Sequence, residues 1–183
     1  MDFPLDGKGP ASEAARLAGF QAFKAVAEKI KSLPYGRPQD HGDVAAVLKE
    51  GKGTCSSKHR FLAALAHECG HQDIQLVIGL YEMSAANTPG IAAILAEEKV
   101  QSLPEAHCYL MRNGQRFDFT GLPASGESPF DALLEERTVP PAELNAVKTP
   151  YHRQAIVAWA RRRNIDPERA WAIRERCIEA LSA

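Results

Sequence analysis

The sequence predicts a mixed domain of helices and a few strands, on three observations. Apolar residues recur at helical spacing near both ends of the chain. An aliphatic run at 74–83 is too short for an ordinary core helix. Asn113-Gly114, a strong short hairpin signal, separates two strand-like segments. With 183 residues the chain is long enough to bury a sizeable core within one domain, 1–183.

Taken in order, Leu17, Phe20, Phe23, Val26, Ile30 and Leu33 mark an amphipathic helix over 11–33, stopped by Pro34. A turn-rich loop at 34–40 leads to a short helix from about Asp43 to Glu50, with Gly51 as its C-terminal cap. A helix from Cys55 to about Cys69 turns Phe61, Leu62, Leu65 and Ala66 inward and stops at Gly70. The run 74–83 reads as a buried strand, and 84–104 as an insertion holding a helix from near Pro89 to Glu98. After the hairpin comes a proline-rich loop over roughly 122–150, then helices at about 151–163 and 167–181. Asp166-Pro167 supplies the second with an N-cap and a first-turn proline.

Composition narrows the function. A net charge of −1 offers no long-range attraction to nucleic acid or to an anionic membrane, and Arg161-Arg162-Arg163 reads as the solvated side of a helix. No segment approaches the ~20 apolar residues of a membrane span. The first residues, Met1 to Gly7, lack the basic and apolar regions of a secretory signal. Four cysteines (55, 69, 108, 177) are too sparse for a disulfide framework, so a reducing cytoplasm is expected.

The hairpin fixes a register. With Asn113 and Gly114 as its central residues, Arg112 faces Gln115, Leu110 faces Phe117, Tyr109 faces Asp118 and His107 faces Thr120. His107, Tyr109, Met111, Arg116, Asp118 and Thr120 then share one mostly polar face, with His107 and Asp118 as diagonal neighbours. A carboxylate so placed can hold one imidazole nitrogen and leave the other for a thiol. Upstream, Gly51-Lys52-Gly53 permits close approach of the backbone, Thr54 can cap a helix, and Cys55 falls in its first turn. There the helix dipole and first-turn amides favour a thiolate and can receive an oxyanion, and Lys58 adds a nearby positive charge. Cys69, Cys108 and Cys177 read as ordinary core thiols. Cysteine, histidine and carboxylate together imply thiol-based acyl transfer.

Two other motifs compete for this stretch. A phosphate loop needs Ser or Thr directly after Gly-Lys and a glycine five positions before the lysine; Gly53 and Val47 stand there instead. His67-Glu68-Cys69-Gly70-His71 satisfies H-E-x-x-H, which would make a zinc hydrolase with Glu68 as base, although Gly70 ends the helix before the second histidine. A catalytically idle binding module on the same fold is the second alternative, after the zinc hydrolase.

The run Gly53-Thr54-Cys55-Ser56-Ser57-Lys58-His59, with Leu62, Ala64, Leu65 and Gly70, resembles the nucleophile segment of the transglutaminase-like superfamily. Glu105-Ala106-His107-Cys108-Tyr109 and Arg116-Phe117-Asp118-Phe119-Thr120 resemble its histidine and aspartate strands. The resemblance covers roughly 43–121. It implies a papain-like α+β fold in which the nucleophile helix packs on a small antiparallel sheet, here with extra helices at both ends. It implies Cys55 as nucleophile, His107 as base and acid, and Asp118 as its orienter, acting on an amide or ester of a peptide or small molecule without a cofactor. Cys108 and Phe117 stand where the commoner pattern has aromatic residues, usually tryptophan. Tyr35 and Gln39 are the candidates for a side-chain oxyanion donor.

Overall fold

The computed structural model describes residues 1–122 and 128–181. Its helices are α1 (Pro10–Leu17), α2 (Phe23–Ser32), α3 (Ala46–Lys49), α4 (Cys55–Glu68), α5 (Ala92–Glu98), α6 (Leu144–Arg162) and α7 (Pro167–Ala180). The strands are β1 (Gln75–Ser84), β2 (Ser102–Arg112), β3 (Gln115–Phe117) and β4 (Leu133–Thr138), in sheet order β3-β2-β1-β4. The chain divides into two compact units. One comprises Met1–Val77, Cys108–Leu122 and Thr138–Asn145; the other comprises Ile78–His107, Pro123–Arg137 and Ala146–Ala183. No helix among the described residues is long and apolar enough to cross a membrane.

The first unit is organised around α4, against which α1, α2, α3 and a 3-10 turn at Pro141–Glu143 pack. Phe61, Leu62, Leu65 and Ala66 are fully buried, as their spacing predicts. Burial of Phe61, Leu62 and Leu65 contributes about 1.5–3 kcal/mol each. The single helix expected over 11–33 is two helices. Gly19, at φ +86°, closes α1 with Gly19 and Phe20 amides donating to the Arg16 and Ala15 carbonyls, so the chain re-aims before α2. Leu17, expected in the core, is 82% exposed on the far side of that turn.

In the second unit α5, α6 and α7 gather a core of Tyr81, Met83, Leu95, Ile156, Trp159 and Ile173. Here α6 begins at Leu144 and carries Pro150 inside it, where a loop to 150 was expected. Proline removes one backbone donor; the buried Ile156, Trp159 and Ala160 hold the helix regardless. The second difference is β4. Five of its six residues are exposed, so backbone pairing defines it and the sequence carries no hydrophobic alternation to reveal it. Residues 123–127 of the expected loop lie outside the described residues. At α7 the Asp166 side chain accepts from the Arg169 amide at 2.8 Å, the cap that was expected.

A buried ion pair lies within this second unit. The Arg174 guanidinium of α7 donates to both oxygens of Glu105 on β2, at 2.7 and 2.6 Å, and both residues are under 10% exposed. Nε2 of His152, also buried, donates to the Pro104 carbonyl at 2.8 Å. Burial pushes the Glu105 carboxyl up, but Arg174 and His152 outweigh it and hold the group below its ordinary value of 4.5.

Removing one member of such a pair costs about 3–5 kcal/mol, whereas replacing both with apolar groups costs far less. Arg174→Met is therefore expected to lose about 3–5 kcal/mol in urea unfolding and the Glu105→Met/Arg174→Met double variant to recover most of it. Because the folded carboxyl titrates below the unfolded one, its contribution is complete above pH 4.5 and falls away as acid carries the pH below that value. Unfolding midpoints of the natural protein between pH 7 and 3 should follow that course.

Candidate active site

Cys55 is the first residue of α4 and is 5% exposed. A reciprocal capping box sets it there. The Ser57 amide donates to Thr54 Oγ1 at 3.5 Å, and the Thr54 amide to Ser57 Oγ at 3.0 Å. Gly53 must be glycine, because a Cβ there would lie 2.6 Å from Val47 Cγ2 and 2.8 Å from Lys58 Cγ. Its amide donates to the Pro34 carbonyl, and its carbonyl accepts from the Gly36 amide, which ties the loop carrying half-buried Tyr35 to the residue two before Cys55. Gln39 is exposed and its amide donates to the Glu50 carboxylate at 2.8 Å.

Three pairs of the predicted hairpin register are present: Arg112 with Gln115, Met111 with Arg116, and Leu110 with Phe117. The expected pairs beyond them are not, because β3 ends at Phe117 and Asp118 lies one residue past it. The cause is α4. His59 Nε2 accepts the Phe119 amide at 2.7 Å, and Lys58 Nζ donates to the Thr120 carbonyl at 2.7 Å. Those backbone groups are thereby withdrawn from the strand ladder. Asp118 Oδ1 accepts the Thr120 amide at 2.8 Å, closing a local Asx-type turn. Nor is the face expected to be polar uniformly so, since Tyr109 is fully buried.

Lys58 and His59 are both fully buried. The Lys58 ammonium meets three backbone carbonyls: Leu33 at 2.6 Å, Thr120 at 2.7 Å and Lys31 at 3.5 Å. Burial pulls its pKa down to about 8, while Asp118 and Cys55 push it back up. The charge predicted near Cys55 is thus present, anchored in backbone. Gly121, at φ +78°, lets the chain pass; a Cβ there would meet the Lys31 carbonyl oxygen at 2.0 Å.

His59 invites comparison with a catalytic base, since Asp118 Oδ1 lies 3.6 Å from its Nε2. Its hydrogen bonds rule that role out. Nδ1 donates to the Cys55 carbonyl at 2.8 Å, and Nε2 accepts from the Phe119 amide. A carbonyl can only accept and an amide only donate, so the ring is the neutral Nδ1–H tautomer with both nitrogens committed. Ser56 Oγ lies 3.9 Å from Cys55 Sγ and receives the Cys108 thiol at 3.7 Å.

His107 belongs to the second unit, at partial exposure on β2. Its ring centroid lies 6.2 Å from those of Tyr81 and Phe130. Glu105, two positions earlier on the strand, is the member of the buried ion pair. Neither Glu105 nor Arg174 carries a sequence signal, because the partners stand 69 positions apart. The same holds for His59 and Phe119, 60 apart.

The three residues of the H-E-x-x-H pattern are engaged separately. His67 Nε2 donates to the Ile74 carbonyl at 2.9 Å. Both Glu68 oxygens accept the first amides of α1, from Ala11 at 3.1 Å and Ser12 at 2.6 Å, so the carboxylate acts as a long-range helix cap. His71 follows Gly70, at φ +83°, and packs on the Phe3 ring at 3.7 Å. Among the described residues no group of three or more His, Cys, Asp or Glu side chains could hold a metal ion. None of the four cysteines is in a disulfide; Cys108 and Cys177 are buried, and Cys69, expected in the core, is only partly so.

The chain matches no protein-family model and no curated protein. A solved structure from Cytophaga hutchinsonii, provisionally described as a cysteine protease, aligns with 12% identity and a TM-score of 0.41. The alignment covers 75% of this chain and 43% of that protein, so the chain spans less than half its length.

With a folded pKa near 8 against 10.5 in the unfolded chain, Lys58 loses its proton first in the native state. The unfolded state then binds more protons, and stability rises with pH between those values. Urea midpoints measured from pH 7 to 10.5 should show that rise, and Lys58→Met should lack it.

Proposed function

We propose that the protein is a thiol-dependent enzyme of the transglutaminase-like kind, in which Cys55 attacks an amide or ester carbonyl of a peptide or small molecule. Cys55 forms the C–S bond, and first-turn amides of α4 stabilise the oxyanion. His107 removes the thiol proton and returns it to the departing amine or alcohol, while Asp118 holds the imidazole in the working tautomer. Water or an acceptor amine then resolves the thioester, giving hydrolysis or acyl transfer. The observation that carries this reading is the placement of Cys55 as the first residue of a capped helix whose next turn grips the segment just after Asp118. The nucleophile and the carboxylate are thus tied to one element.

The reading separates from an idle fold by thiol reactivity. Burial pushes the Cys177 thiol up to about 11, so it should be almost unreactive at pH 7. Iodoacetamide is expected to label Cys55 at least about tenfold faster than Cys177, read by peptide mass spectrometry on the folded protein. Substitution of His107 by Ala should remove most of that advantage. Equal labelling of the two cysteines would sink the proposal.

A further inference from the structure

His59 and Lys58 stand outside the proposed triad, yet their contacts reach from the turn that presents Cys55 to the two residues that follow Asp118. His59 bridges two backbone groups, the Cys55 carbonyl on its own helix and the Phe119 amide 60 residues later. Lys58 fixes the next carbonyl, Thr120, to the same turn. The Asp118 carboxylate is folded onto the Thr120 amide, so its orientation follows the backbone that these two side chains hold. Left to the hairpin, residues 118–120 would continue the ladder opposite β2; the α4 side chains draw them off it.

We propose that His59 is a positioning residue for Asp118: its Nε2–Phe119 hydrogen bond sets the carboxylate relative to Cys55, and the reactivity of the thiol depends on it. This rests on the assignment of Cys55 and Asp118 in the proposed function. In this proposal His59 acts through Asp118, while its other bond, to the Cys55 carbonyl, stays within α4. The ring has two jobs that two amide side chains can separate. Asparagine places a donor near the Nδ1 position and can keep the bond to the Cys55 carbonyl, but nothing of it reaches the Nε2 position. Glutamine places an oxygen near Nε2 and can still accept the Phe119 amide.

The test is the pH dependence of Cys55 alkylation by iodoacetamide; within this unit Lys58 is the charged group that interacts with both Asp118 and Cys55. Asp118→Asn removes the carboxylate that helps keep Lys58 charged and that is proposed to hold His107, so it should raise the pH midpoint by about one unit, a loss of about tenfold in rate at pH 7. His59→Asn should reproduce that shift and His59→Gln should stay near the natural profile. The His59→Asn/Asp118→Asn double variant should shift no further than Asp118→Asn alone, since the two act in series. A residue serving only stability would lower the thermal midpoint and leave the alkylation profile in place, so both are recorded.

Three results overturn the inference: His59→Asn with the natural pH midpoint, His59→Gln as impaired as His59→Asn, or fully additive shifts in the double variant. Failure of the parent reading is visible elsewhere, in natural protein whose Cys55 labels no faster than Cys177 or in an Asp118→Asn profile that does not move. The inference falls with it in either case.

Discussion

The first unit depends on a fully buried ammonium. Lys58 Nζ satisfies three carbonyls from two distant segments, 31–33 and 120, and it does so from the second turn of the helix that begins at Cys55. A lysine without exposure is costly because its charge loses hydration, and only a full set of acceptors makes the arrangement tenable. The glycines around it follow from that crowding: Gly53 leaves room for the Lys58 stem, and Gly121 lets the chain pass under the Lys31 carbonyl. The cap at Thr54 and the turn at Asp118 are therefore parts of one packing solution.

The second unit solves a similar problem with opposite means. Its buried charge is a carboxylate, Glu105, and its counter-ion arrives from a helix far along the chain. The pair fixes which stretch of β2 faces α7 and in which register. Since Glu105 and His107 alternate onto the same face of β2, the orientation of one constrains the other. The His107 ring has the Tyr81 and Phe130 rings as neighbours.

Much of this was legible from local pattern. The hairpin register at 110–117 followed from Asn113-Gly114, the span of α4 from Thr54 and Gly70, and the cap of α7 from Asp166-Pro167. What escaped was whatever a distant group decides. Asp118 left its strand because His59 and Lys58 claim the following backbone, and neither side chain announces a partner 60 residues away. Glu68 has the spacing of a metal-site base, yet its oxygens accept the amides of α1. The break at Gly19 leaves no mark in the pattern because Phe20 keeps the helical spacing on either side of it, and β4 leaves none because an exposed edge strand needs no apolar alternation. Of the candidate triad, the sequence located the three residue types and the helix start; the surroundings that hold Asp118 belong to tertiary structure.

The Arg174–Glu105 pair also bears on how the chain matures on the ribosome. Synthesis runs from the N-terminus, so Glu105 emerges 69 residues before its counter-ion. Until α7 has been made and docked, seating this part of β2 would bury an uncompensated carboxylate. The strand segment around Glu105 is therefore compensated in full only once α7 is present.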